Sequence, residues 1–146
     1  MKGWFDEFEV GARFRTRTRT ITDADQDAFC RLVGYEVPLF LDDAYARSQG
    51  MRGRICPSHL IMSFSTAMTG DLFTDTVIAM VALDNARFLA PVHPGDTIRT
   101  EVEVLEKRET SRPDRGLVVF RDHVYNQDGA EVFSNDKTVL IKRRAA

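Results

Sequence analysis

The sequence predicts an α+β fold in which an antiparallel sheet wraps around one buried helix, and three observations carry that expectation. The first is the stretch from Pro57 to Gly70, which contains no Lys, Arg, Asp or Glu. Its apolar residues Leu60, Ile61, Phe64, Ala67 and Met68 recur at three- and four-residue spacing, as on one helical face. The other face carries Ser63, Ser65, Thr66 and Thr69, so neither side is built for bulk water. The second observation is a change of period after Gly70, from the helical repeat to the alternation of strands. The third is the order of elements, an early strand and helical insertion before the long helix, then a run of strands.

In chain order, Trp4 to Ala12 reads as a short lead-in turn or half-turn helix. Arg13 to Thr20 alternates basic residues with Phe and Thr, a strand that would place Arg13, Arg15, Arg17 and Arg19 on one face. That face reads either as a solvated, charge-protected edge or as a cationic rim for ligand phosphates. Thr22 caps a helix whose first turn holds Asp23 and Asp25 and which ends at Gly34. Tyr35 to Leu41 reads as an irregular apolar segment interrupted by Pro38, and Asp42 caps a short helix from Asp43 to Ser48. Gly50 to Ile55 leads into the central helix, where Pro57 suits the first turn.

Beyond that helix, Thr76 to Leu83 is a strand that Asn85 to Leu89 continues through a bend. Pro94-Gly95 suits a type II turn. Thr97 to Arg108 is a half-exposed strand and Glu109 to Arg115 a polar loop. Gly116 to Asn126 and Glu131 to Lys142 form a hairpin about Gln127-Asp128-Gly129.

The whole chain, residues 1–146, reads as one domain large enough for a real core. A net charge of −2 gives no global field towards nucleic acid or anionic lipid. No apolar run approaches membrane-spanning length, and the N-terminus lacks a signal-peptide hydrophobic region, so a cytoplasmic protein is expected. Cys30 and Cys56 fit no metal spacing and are expected to be reduced thiols. Three scattered histidines and the lack of a Gly-rich phosphate loop predict neither metal nor cofactor. Function is sought at the start of the central helix, where free N–H groups and the helix dipole favour an oxygen anion.

Taken together, several stretches resemble the MaoC-like branch of the hotdog-fold superfamily, the (R)-specific enoyl-CoA hydratases and related dehydratases. They are Thr22-Asp-Ala-Asp, Phe29-x-x-Leu-x-Gly34, Asp42-x-x-Tyr45-Ala46, Gly53-Arg54-Ile55, Phe88-x-x-Pro91-Val92-x-Pro94-Gly95-Asp96-Thr97, and Arg115-Gly116 with Asn126-Gln127-x-Gly129. The resemblance runs from about Phe14 to Leu140 and rests on their order and spacing. It implies a hotdog fold, an acyl-CoA or carrier-protein thioester as substrate with no further cofactor, and a thioester site between subunits. A homodimer, or a hetero-oligomer with another hotdog subunit, is therefore expected, and it would also cover exposed strand edges.

The resemblance also exposes a departure. The family's Gly-Asp-x-Asn-Pro-x-His motif supplies an Asp/His pair that handles the added water, as acid/base hydration requires. Here the run is Gly34-Tyr35-Glu36-Val37-Pro38-Leu39-Phe40, which puts Tyr35, Val37 and Phe40 at the Asp, Asn and His positions. A phenol ionises near ~10 in water and is a poor base at neutral pH, and a phenyl ring transfers no proton. Candidate replacements are His59, which reads either as a base or as a capping or packed imidazole, and Glu36 or Tyr35. Ser58 and the N–H groups of His59 and Leu60 are candidates to polarise a thioester carbonyl. Phe40, Val37 and Cys56 would line the substrate cavity, Cys56 having a weaker reading as nucleophile. Two hypotheses follow: a hydratase or dehydratase with non-standard or weak chemistry, or a non-catalytic thioester-binding subunit that pairs with an active homologue.

Overall fold

The computed structural model describes residues 2–145. The α+β expectation holds. Five antiparallel strands form one sheet in the order β1-β3-β4-β5-β2: β1 Arg13–Thr20, β2 Val77–Phe88, β3 Thr97–Glu109, β4 Arg115–Tyr125 and β5 Glu131–Lys142. Three helices, α1 Asp23–Val33, α2 Pro38–Leu41 and α3 Asp43–Ser48, form the insertion, and α4 Ser58–Met68 is the central helix. Thr22 caps α1 reciprocally with Asp25, and the Asp42 carboxylate caps α3 through the Ala44 and Tyr45 N–H groups. The segment read as irregular contains α2, because Pro38 takes the first helical position and Asp42 N–H closes the turn on its carbonyl.

Strict alternation on β3 and β4 sends Ile98, Val102, Val104, Val118, Phe120 and Val124 inwards, each at most 1 % exposed. Leu60, Ile61 and Met68 of α4 meet one half of this face. The other half packs on Phe5, Phe8 and Phe73, with Phe5 and Phe8 supplied by the turn near the N-terminus. Phe5 lies so close to β4 that a Cβ on Gly116 would stand 2.3 Å from its ring, so only glycine fits there.

Between the halves runs a belt of buried polar side chains, Thr100, Asp122, Asn135 and Lys137 from the sheet with Ser65 and Thr69 from α4 and its end. Lys137 Nζ lies 2.8 Å from Asp122 and donates to the Thr69 hydroxyl at 2.9 Å. Burial pushes the Asp122 carboxyl up, and the Lys137 charge opposes that shift.

Two expectations are corrected. α4 is not enclosed all round: His59, Ser63 and Ala67, spaced four apart, are exposed, whereas Ser65 and Thr69 face the core. Nor do the four β1 arginines share a face. Arg15 opposes Glu101 but Thr18 opposes Arg99, so the strand carries one extra residue and its alternation changes phase. β2 is the opposite edge and is irregular at three places, one near Asn85, whose φ of 53° is left-handed. It continues from Val77 to Phe88 as one strand and exposes Val77, Ile78, Met80, Val81 and Leu83.

Candidate functional site

The start of α4 is fixed by the residues that hold its lead-in. Arg54, 8 % exposed, reaches Asp27 at 2.6 Å and Asp23 at 2.8 Å on α1. The bond to Asp27 raises the guanidinium pKa against the effect of burial, and Asp23 adds to it, so the charge is permanent. Buried Gln26 donates to Phe40 O at 2.9 Å and Ile55 O at 2.8 Å, joining α1 to both the α2 turn and the lead-in. On the other side Cys56 N–H donates to Val92 O at 2.7 Å, and His93 Nδ1 lies 3.0 Å from Arg54 O. Pro57 is then the cap residue and the helix opens at Ser58, one residue later than the sequence suggests.

The segment after β2 turns back at His93–Asp96, where Gly95 takes a φ of 98° that suits the third position of a type II turn. Asp96 accepts from His93 N–H, Gln127 and Arg52 at 2.9–3.0 Å. Burial would raise its pKa, but these three bonds win and hold the carboxyl below the usual carboxylate range.

Beside the start of α4 lies a cleft of about 250 Å³. Ile55, Cys56, Ser58 and Ile61 line one wall, and the run Phe88–Val92 lines the other. The backbone supplies its polarity. Leu60 and Ile61 N–H both donate to Pro57 O, at 3.1 and 3.3 Å, while among the described residues the N–H groups of Ser58 and His59 have no backbone acceptor. A thioester oxygen, which becomes more negative as an enolate forms, suits such a pair of donors at a helix start.

The sequence candidates are distributed unevenly around this cleft. Ser58 and Cys56 line it. Leu60 does not, being 3 % exposed within the core, and its N–H is already bonded; the open donors are those of Ser58 and His59. Cys56 is 4 % exposed, and burial, helped by the Asp96 carboxylate, pushes its thiol up to about 12, so it packs rather than attacks. His59 is exposed, and its ring makes no hydrogen bond among the described residues, so nothing orients it as a base. Glu36 is exposed and Val37 is 38 % exposed. Tyr35 and Phe40 do come together, ring centroids 4.9 Å apart edge to face, on the turn whose Leu39 carbonyl accepts from Ile55 N–H at 3.3 Å. Tyr35 and Phe40 thus pack on each other beside the lead-in and, like Val37, do not line the cleft. Among the described residues no hydrogen bond joins His59, Tyr35 and Glu36, the three groups considered for relocated acid/base work.

The Phe88–Val92 wall was not legible as part of a site. Its signal is an apolar run, Phe-Leu-Ala-Pro-Val, that leaves a strand and starts outside the core: Phe88 and Leu89 are 45 % and 54 % exposed, and only Val92 at its end is buried. His93 and His123, which had no partner in the sequence, have structural ones. His123 lies between Glu131 at 2.8 Å and Glu103 at 3.1 Å on the outer face of the sheet. Among the described residues no group of three or more His, Cys, Asp or Glu side chains is placed to hold a metal, and no helix is long and apolar enough to cross a membrane.

Comparison with known proteins places this geometry in a family. The sequence pattern of the family described as MaoC like domain matches residues 7–122. The uncharacterized protein YdeM of Bacillus subtilis is 31% identical over 142 residues, which cover 94% of this chain and 98% of that one. The mesaconyl-CoA hydratase of Cereibacter sphaeroides is 27% identical over 145 residues, 97% of this chain but 41% of its own, so this chain spans about two fifths of that relative. Among solved structures, the R-hydratase PhaJ1 of Pseudomonas aeruginosa superposes with a TM-score of 0.81 at 26% identity, covering 98% of this chain and 88% of that one. The expected sheet around a helix is thus the hotdog fold, and the chain belongs to the MaoC-like dehydratase domain family.

Proposed function

We propose that this chain binds an acyl thioester at the start of α4 and hydrates enoyl thioesters poorly, because its acid/base pair has become an aromatic pair. The Tyr35–Phe40 contact at 4.9 Å is the observation that carries the reading. Hydration needs one group to take a proton from water and another to deliver one to the substrate carbon, both held within hydrogen-bond reach. Phe40 has no transferable proton, so it can neither activate water nor protonate the substrate carbon.

What remains is binding chemistry. The Ser58 and His59 N–H groups and the Ser58 hydroxyl suit the thioester oxygen, and the apolar walls from Ile55, Ile61 and Phe88 suit the acyl carbons. The relative named as a mesaconyl-CoA hydratase supports a CoA thioester as the ligand class.

The purified chain tests this against a panel of enoyl-CoA thioesters. Binding by calorimetry with hydration at least a thousandfold below a family member that keeps the Asp/His pair is the expected result. Rapid hydration unaffected by His59→Ala and Tyr35→Phe would contradict it.

A second reading is favoured by β2. A free edge strand exposing Val77, Ile78, Met80, Val81 and Leu83 is a surface for another chain, and pairing there would continue the sheet. A second copy gives a homodimer, and a hotdog homologue with an intact pair would supply the chemistry this chain lacks. Light scattering at micromolar concentration checks the first arrangement, with a dimer mass expected and a monomer mass contradicting it.

A further inference from the structure

Far from the start of α4, the extra residue in β1 builds a second feature. Arg13 and Arg15 oppose Glu103 and Glu101 on the outer face of the sheet, but beyond the irregularity Arg19 opposes Ile98, which is fully buried on the inner face. The Thr16 hydroxyl holds the irregularity in place, accepting from Thr100 N–H at 3.0 Å and donating to Arg17 O at 2.7 Å. Arg19 is thereby turned towards α4, its guanidinium 4.6 Å from the Phe64 ring centroid and bonded to Asp25 at 3.0 Å.

Two neighbouring clefts open between β1 and the second half of α4. The larger, about 360 Å³, is lined by Arg17, Thr18, Arg19, Phe64, Ala67 and Met68. The smaller, about 110 Å³, shares Arg17 and Met68 and adds Phe14, Arg15 and Leu72, with Asp71 as its one carboxylate. Their floor is apolar and their rim cationic. Among the described residues, neither Arg15 nor Arg17 lies within ion-pair distance of a carboxylate, whereas Arg13 and Arg19 are both paired.

We propose that this groove binds an anionic amphipath, an alkyl chain lying over Phe64, Ala67 and Met68 with a carboxylate or phosphate head group on Arg17 and Arg15. A nucleic acid would need a broad basic surface, whereas this groove offers two guanidinium groups without a carboxylate partner among the described residues, on a chain of net charge −2. A bare inorganic anion would leave the apolar floor unused. An alkyl chain with an anionic head matches both parts, the floor by burial and the rim by charge-assisted hydrogen bonds. The groove is separate from the thioester cleft: Phe64 to Met68 lie six to ten residues along the helix from Ser58, roughly 9–15 Å at the helical rise. The proposal does not rest on the thioester reading.

Calorimetric titration of the intact chain, below micelle-forming concentrations, tests it with laurate, dodecyl phosphate and dodecyltrimethylammonium. One molecule of laurate or dodecyl phosphate per chain is expected, and the preferred anion identifies the head group. The cationic analogue is expected not to bind. Arg17→Glu reverses a free surface charge and Ala67→Trp fills the exposed floor, and each is expected to weaken binding at least tenfold. Crotonyl-CoA added in excess is expected not to displace the amphipath. Absence of binding, binding indifferent to both variants, or displacement by crotonyl-CoA would overturn the assignment. So would a smaller particle mass in Arg17→Glu without any ligand, which would give the groove to a second copy of the chain.

Discussion

Over the first turns of α4 the core is largely aliphatic, built from Ile21, Leu60, Ile61, Val92, Ile98, Val124 and Val132, whereas beyond Thr69 it is dominated by four phenylalanines. In that second half Phe8, Phe73 and Phe120 meet edge to face or tilted at 5.0–6.2 Å, and Phe5 closes the end against Gly116. The aliphatic half has a cleft at its margin and an open helix start, and the aromatic half is plugged by the segment near the N-terminus. The expectation is that the plugged half contributes most to stability and that thioester chemistry belongs to the half whose wall begins with the exposed Phe88 and Leu89.

The largest expected effect tests that division directly. Phe120→Ala removes a fully buried ring from the aromatic half and is expected to cost about 3–5 kcal/mol in urea unfolding, with thioester binding of the folded fraction unchanged. Phe88→Ala removes a 45 % exposed ring stacked on Phe133 and is expected to cost about 1 kcal/mol while weakening thioester binding. If the two substitutions exchanged these effects, the division would be wrong.

The polar belt between the halves sharpens the comparison next. Lys137→Met leaves Asp122 buried without its counter-charge and is expected to lose about 3 kcal/mol, whereas adding Asp122→Leu should restore most of the loss. A double variant as unstable as the single one would show that the belt, rather than the pair, carries the stability.

A smaller effect is expected at Asp96, which ties the turn behind the cleft to Arg52 and Gln127. Its folded pKa is depressed, so its contribution is present above the unfolded carboxyl range near ~3.9 and is lost as pH falls through the folded value. Acid unfolding followed by fluorescence should therefore be shallower below about pH 4 in Asp96→Asn, with lower stability at pH 7. An unchanged acid limb would remove Asp96 from the account.

Much of this architecture was legible in the sequence, for reasons that are local. The bounds of β1, α3 and β5 follow from alternation and from Asp42 as a cap. The uncharged stretch marks α4 because charge is excluded where a sheet closes over a helix. What was not legible depends on contacts distant in sequence. The phase change in β1 arises from Thr16 meeting Thr100, 84 positions away, and no alternation rule contains it. Lys137 and Asp122 carry charges that strand alternation alone gives no reason to bury, and their mutual pairing is what allows both inside. At the site, the resemblance set Tyr35 and Phe40 at the motif's Asp and His positions from the sequence alone. That Tyr35 and Phe40 pack on each other, that Leu60 N–H is already bonded and that Cys56 is held protonated required the folded backbone.

The claim that the scaffold keeps a thioester site and has lost the proton-transfer pair is tested most directly by restoring the pair. Tyr35→Asp, Val37→Asn and Phe40→His, made together, should raise the kcat/KM for crotonyl-CoA hydration at least a hundredfold over the natural chain, with little change in thioester affinity. Hydration that stays at the level of the natural chain while the triple variant is folded and binds the thioester would contradict that claim.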